Sequence, residues 1–161
     1  MAHEYSVGGS FTTVSAVVTL AFINPAAAPN VNIEIRRAWA GQAVNATSAQ
    51  QRVQLETQVS VFPTLTSKTP EKLKRAEAVS IITGGIAGAA GTAGINASVE
   101  GAGGKTAIID DAFNNLNGYL WVPTPDEVII MPAGFASGIG LFFPVAPSVT
   151  VWNCGLNFAE R

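Results

Sequence analysis

From Tyr119 to Phe158 the chain reads YLWVPTPDEVIIMPAGFASGIGLFFPVAPSVTVWNCGLNF. Short apolar runs alternate with Pro/Gly breaks at near-regular spacing, the pattern of an antiparallel β-sandwich or barrel. The stretch holds no His, Lys or Arg and no polar cluster that could run a reaction. It points to a protein whose product is a surface.

The rest of the chain carries the same two-residue period. Phe11–Ile23 is rich in β-branched residues, with Val14, Ala16, Val18, Leu20 and Phe22 on one face. Val31–Trp39 sets Val31, Ile33, Ile35 and Trp39 against Asn32, Glu34 and Arg36. Arg37 falls on the apolar parity, which suggests a strand end or a paired charge. Arg52–Val61 alternates most strictly, with Val53, Leu55, Val59 and Val61 inward and Arg52, Gln54, Glu56, Gln58 and Ser60 outward. Thr106–Ile109 is a short strand candidate, and DDAFNNLNG reads as a turn-rich link. Tyr119–Val122, Val128–Met131, Ile139–Phe143 and Val149–Phe158 complete the set. One helix is expected, over Glu71–Ala78, with Thr69 as cap, Pro70 at its first position and Lys/Arg further along. The expected fold is a single domain over 1–161: an all-β, antiparallel, jelly-roll-like sandwich with one short helix. The N-terminal strand and the long C-terminal strand are expected to be neighbours.

Gly84–Gly104 differs in kind, since half of the 16 glycines lie in it and Gly85, Gly88, Gly91 and Gly94 recur every third residue. It lacks the proline of a collagen repeat and the GK[ST] ending of a phosphate loop. A long Gly/Ala-rich loop or arm is the reading. Ordering it costs roughly 1–2 kcal/mol per residue, against about 1.5–3 kcal/mol for burying each of Ile86, Ile95 and Val99. The arm is therefore expected to order only against neighbouring chains, with Gly85, Gly88, Gly91, Gly94 and Ile95 at the interface.

Composition narrows the function. Only 12% of residues are charged and mean hydropathy is +0.31, so part of the surface is expected to be buried against other chains. A net charge of −2 and a pI of about 5.3 argue against nucleic acid as the main partner. No basic and apolar leader opens the chain, and Phe11–Ile23 is too short to span a bilayer, so no membrane partner is expected. Cys154 is alone, which excludes an internal disulfide, and its alternating apolar run assigns it to packing.

No GxSxG, CxxC or HExxH motif is present, and neither catalytic residues nor a cofactor are expected. Asp110-Asp111 and Asp126-Glu127 are adjacent pairs whose side chains diverge on a strand; a cation would need ligands converging from both. His3 lies in a segment expected to be mobile. Asn45-Ala46-Thr47 and Asn96-Ala97-Ser98 are chance matches to a glycosylation sequon. Trp39, Trp121 and Trp152 could stack on a carbohydrate, but their strand settings favour core or subunit-interface packing.

The blocks LWVPTPDEVIIMPAG (Leu120–Gly134) and VTVWNCGLNFAE, with IEIRRAWAGQ and FPTLTSKTPEKLKRAEAVSIITGGIAGAAGTAG, resemble small β-sandwich proteins among the structural genes of tailed bacteriophages. The resemblance covers most of the chain and is to capsid decoration (cement) proteins and similar virion jelly rolls. It implies a homo-oligomer, often a trimer, made in the host cytoplasm and seated on the major capsid protein at the capsid surface. Related sandwiches occur in tails and fibres, where a receptor- or glycan-binding module is the corresponding expectation.

Overall fold

The computed structural model describes residues 2–13, 18–44, 48–147 and 151–161. Val14 and Ala16 of the expected first strand, the Asn45–Thr47 sequon and Val149 lie outside the described residues. Thirteen strands and no helix are found among those described: β1 (His3–Thr12), β2 (Val18–Ile23), β3 (Ile33–Gln42), β4 (Gln50–Val59), β5 (Thr64–Ser67), β6 (Glu71–Lys72), β7 (Thr83–Gly84), β8 (Thr92–Val99), β9 (Lys105–Asn114), β10 (Tyr119–Trp121), β11 (Ile129–Met131), β12 (Ser137–Phe143) and β13 (Val151–Glu160).

They form two sheets. The first runs β10-β3-β13-β1-β6, with β11 also on β3; the second runs β5-β8-β2-β12-β4-β9, with β7 on β8. Every pairing is antiparallel except the two-residue β7–β8 contact. The chain is thus an all-β sandwich. The neighbour of β13 is β1, in unbroken register from His3↔Glu160 to Thr12↔Val151. The expected Phe11–Ile23 strand is divided: Phe11 and Thr12 end β1, while β2 belongs to the second sheet. His3, expected in a mobile segment, starts β1.

Trp152, Cys154, Leu156 and Phe158 form the inner row of β13, all fully buried. Phe143 of β12 meets Trp152 edge-on at 4.8 Å, and Phe113 of β9 lies 6.2 Å from Phe143, 6.1 Å from Trp152 and 5.6 Å from Tyr119 of β10. Two strands of each sheet are joined by these four rings. Aromatic pairs add about 0.5–1.5 kcal/mol each to the stabilisation from burial.

Where the alternation misleads, a bulge or a covering loop is the cause. Asn157 faces Arg37 but Phe158 faces Ile35, which leaves Arg36 as an extra residue in β3. Ile33 and Ile35 are buried before this bulge, Ala38 and Ala40 after it, and Trp39 is turned to the outer face. Arg37 lies within β3 and has no carboxylate partner among the described residues. In β4, Val53 and Leu55 are buried as expected, but Val59 is exposed, as is Val61 beyond it. Glu56 and Gln58, on the outward row, are covered instead. Gln58 Nε2 donates to the carbonyls of Val61 and Gly101, both 2.9 Å away.

Three further expectations are corrected. The Glu71–Ala78 segment is not a helix. Lys72 and Glu71 pair with Tyr5 and Ser6, the Leu73 amide donates to the Glu4 carbonyl at 2.9 Å, and a turn follows. A helix of two turns is marginal alone, and pairing with the β1 edge prevails. The DDAFNNLNG link is mostly strand: β9 pairs with β4 from Lys105 to Asn114, and its exposed aspartates are compatible with an edge strand.

Nor is the glycine-rich segment one long loop or a free arm: Thr92–Val99 is strand, and the turns on either side of it pack on their own chain. β8 lies between β5 and β2, and Ile95 is buried opposite Ala21 and Thr66. The amide of Gly85 donates to the Ala93 carbonyl at 3.0 Å, that of Gly91 to Asn24 at 3.1 Å, and the Asn24 side chain to the Gly88 carbonyl at 2.8 Å. Gly94 faces Phe22 on one side and Ser67 on the other. Gly88 is required twice over: its φ is +59°, and a Cβ there would fall 2.6 Å from Phe62 Cβ. Backbone bonds, and side chains of other strands that settle on glycine, supply what the segment's own side chains do not. We predict that the amides of Thr92–Val99 exchange with deuterium in the isolated protein about as slowly as those of β2. Loop-like exchange there would contradict this pairing.

Candidate binding surface

The two sheets treat their outer faces differently. On the second sheet the centre of the outer face is covered: Thr19, Phe22, Glu56, Gln58 and Phe142 are all nine-tenths or more out of water, while Arg52 and Asp110 toward the β9 edge stay exposed. The β8–β9 crossing covers part of it. Lys105 Nζ lies 3.1 Å from Glu56 and 2.8 Å from Glu100, and 3.6 Å over the Phe142 ring. Glu100 accepts from the Thr19 amide and from its hydroxyl, at 2.5 and 2.8 Å. Gly103 lets the crossing close, since a Cβ there would come 1.8 Å from the Val59 carbonyl oxygen. Burial pushes the Glu56 carboxyl up from its usual range, while Lys105 opposes the shift. This constellation is saturated by its own members and acts as a latch.

The outer face of the first sheet is open. Trp39, Gly155 and Gly8 stand in one row across β3, β13 and β1, with Leu120 of β10 opposite Trp39. The indole lies over the two glycines, where a Cβ would approach Trp39 Cζ2 to 2.4 Å at Gly155 and 2.8 Å at Gly8. The Arg37 guanidinium sits 5.7 Å from the ring centroid. Beside this row is a groove of about 430 Å³, lined among others by Glu4, Arg37, Leu73, Leu120, Val122 and Asn157. A second depression, of about 580 Å³, adjoins it at Leu73 and is lined by Pro70, Glu71, Lys72, Arg75 and Val79. Arg36 Nε and Asn157 Oδ1, on residues of the first groove, are buried without a hydrogen-bond partner among the described residues.

The sequence-derived candidates separate in space. Trp152 is wholly inside the core, Trp121 packs half-buried against it, and only Trp39 reaches the outer face. The three do not form one stacking surface. Gly85, Gly88, Gly91, Gly94 and Ile95 are engaged with their own chain, as described above. Asp110 is held by Arg52 and by Gln54, which donates at 2.9 Å, and these bonds, Arg52's first, hold its carboxyl down at about 2. Asp111 Oδ1 accepts from the Ala112 amide at 2.7 Å. Asp126 and Glu127 lie between β10 and β11, and Glu127 accepts from the Thr124 hydroxyl at 2.9 Å. No three His, Cys, Asp or Glu side chains converge as metal ligands among the described residues. Burial pushes the Cys154 thiol well above its ordinary value, in keeping with packing. No described helix is long and apolar enough to cross a membrane.

Sequence reasoning missed Leu73, Gly8 and Gly155. The doublet Gly8-Gly9 within an otherwise alternating segment was the available signal for a close approach. Compared with protein-family models, curated proteins and solved structures, the chain finds no match in any of the three.

The latch gives a prediction with a sign. A carboxyl whose value is raised by folding favours its neutral form in the fold, so its contribution to stability grows as pH falls through the folded value. Lys105→Met leaves two covered carboxylates without their cation. It should cost about 2–4 kcal/mol near neutral pH, the lower part of the range for breaking a buried pair because Lys105 keeps some water contact. The loss should be smaller in mildly acidic buffer, where Glu56 more readily takes up a proton. Urea titrations at the two pH values measure it; an equal loss at both would contradict the latch.

Proposed function

We propose that this chain is a virion structural protein that binds the outer surface of a capsid lattice and stabilises it, as a decoration or cement protein does. The observation that carries the reading is a grouped aliphatic face: the outer side of the first sheet presents Leu73, Leu120 and Val122 around the half-buried Trp39, whereas the centre of the second sheet's outer face is covered by its own chain. Exposed aliphatic side chains grouped on one face are what a docking surface requires. The low charge content and the resemblance in sequence support the same reading.

The chain passes repeatedly between the sheets, from β2 to β3 to β4 and from β12 to β13, which supports a jelly-roll-like description. Its partner in this reading is the major capsid protein, and copies associate, a trimer being the favoured state. Each copy bridges neighbouring capsid subunits, and many modest contacts then act together. A receptor- or glycan-binding module of a tail or fibre is the second reading, favoured by one observation, the Trp39 indole packed over Gly8 and Gly155 on the outer face. Copy number per virion separates the two, with hundreds for decoration and at most tens for a receptor binder.

Virions lacking the protein should release their DNA at a lower temperature, and adding back the purified chain should restore it. Release unchanged by its loss would count against a stabilising role.

A further inference from the structure

The chain has nine Lys and Arg residues. Six have carboxylate partners: Arg36 and Arg161 on Glu34, Arg52 on Asp110, Lys68 on Glu71, Lys74 on Glu4 and Glu77, and Lys105 on Glu56 and Glu100. Arg37, Lys72 and Arg75 have none among the described residues. All three line the two depressions that meet at Leu73. The two carboxylates that share this lining, Glu4 and Glu71, already face Lys74 and Lys68. A chain of net charge −2 therefore gathers its unpaired cations in one place.

Between these cations the surface is aliphatic. Leu73 is 49% exposed, Leu120 59%, Val122 60% and Val79 76%. Asn157 adds a buried, unpaired acceptor oxygen on a residue of the same groove. Resting on the docking reading above, we propose that this double groove is a site for a partner segment that carries carboxylates among aliphatic side chains. The carboxylates meet Arg37, Lys72 and Arg75, and the aliphatic groups fill the concavities around Leu73. Charge complementarity sets register and orientation, while burial of the aliphatic groups supplies affinity. Concavity argues against a bilayer, which takes protruding apolar side chains. The aliphatic lining and the arginine already stacked on Trp39 argue against nucleic acid, which needs free aromatic faces and a denser cationic surface.

The test uses the whole chain and a short synthetic peptide alternating aspartate and leucine, followed by chemical-shift perturbation. Control peptides alternate lysine with leucine and aspartate with serine. The acidic peptide should perturb residues around Leu73, Leu120 and Asn157, and both controls should bind at least about tenfold more weakly. The triple variant Arg37→Glu, Lys72→Glu, Arg75→Glu changes only groups without ionic partners, so its thermal midpoint should stay close to that of the parent. It should lose the acidic peptide by at least about tenfold and gain the lysine peptide. Equal binding of the acidic and lysine peptides, no binding of the acidic one, or binding instead to anionic vesicles or an oligonucleotide at these residues would overturn the proposal. Capsid attachment of the triple variant is scored separately. If attachment persists undiminished, the acidic-segment site falls and the decoration reading stands; if the peptide results hold while virion stability is independent of the protein, the reverse is true.

Discussion

Two central strands, β12 and β13, hold this molecule together. Each has hydrogen-bonded neighbours on both sides, and between them stands the contact of Phe143 with Trp152. Every residue of β12 is buried, since its inner row faces the first sheet and its outer row lies beneath Phe22, Lys105 and the crossings around them. Gly138 and Gly140 are floor for Phe22 in the same way that Gly8 and Gly155 are floor for Trp39. Large rings laid on small residues close the sheets where side chains on neighbouring strands would collide.

Much of this was legible in sequence. The Pro/Gly punctuation of Tyr119–Phe158 marked β10 to β13 within a few residues, and the alternation of Val53 and Leu55 assigned the core row of β4. The illegible parts have identifiable causes. A bulge at Arg36 flips the parity of β3, and nothing local announces it, because it is set by register against β13. Glycine-rich segments look unstructured because their stabilisation is borrowed: Phe62, Leu65 and Thr92 pack on Gly88, Gly94 and Gly85. The basic segment after Pro70 has reasonable helix signals, and its pairing with β1 depends on a strand more than sixty residues away. The binding surface was the least legible, since Leu73, Trp39 and Leu120 come from three separate elements that only the topology brings together.

The asymmetry of the two sheets links fold to function. On the covered part of the second sheet's outer face the charged groups are paired within the chain, with Lys105 between its two carboxylates. On the outer face of the first sheet exposed aliphatic side chains, a half-covered indole and three cations without ionic partners among the described residues lie close together. A surface built on paired strands is rigid before it binds, which limits the entropy lost on docking.

Hydroxyl-radical footprinting of the protein, free and on the assembled particle, tests this most directly. Trp39, Leu73, Leu120 and Val122 should be strongly protected on the particle, while Ile108 and Leu116, exposed on and just after the β9 edge, should react to a similar extent in both states. Protection confined to Ile108 and Leu116, with the Trp39 face equally reactive in both states, would contradict the account.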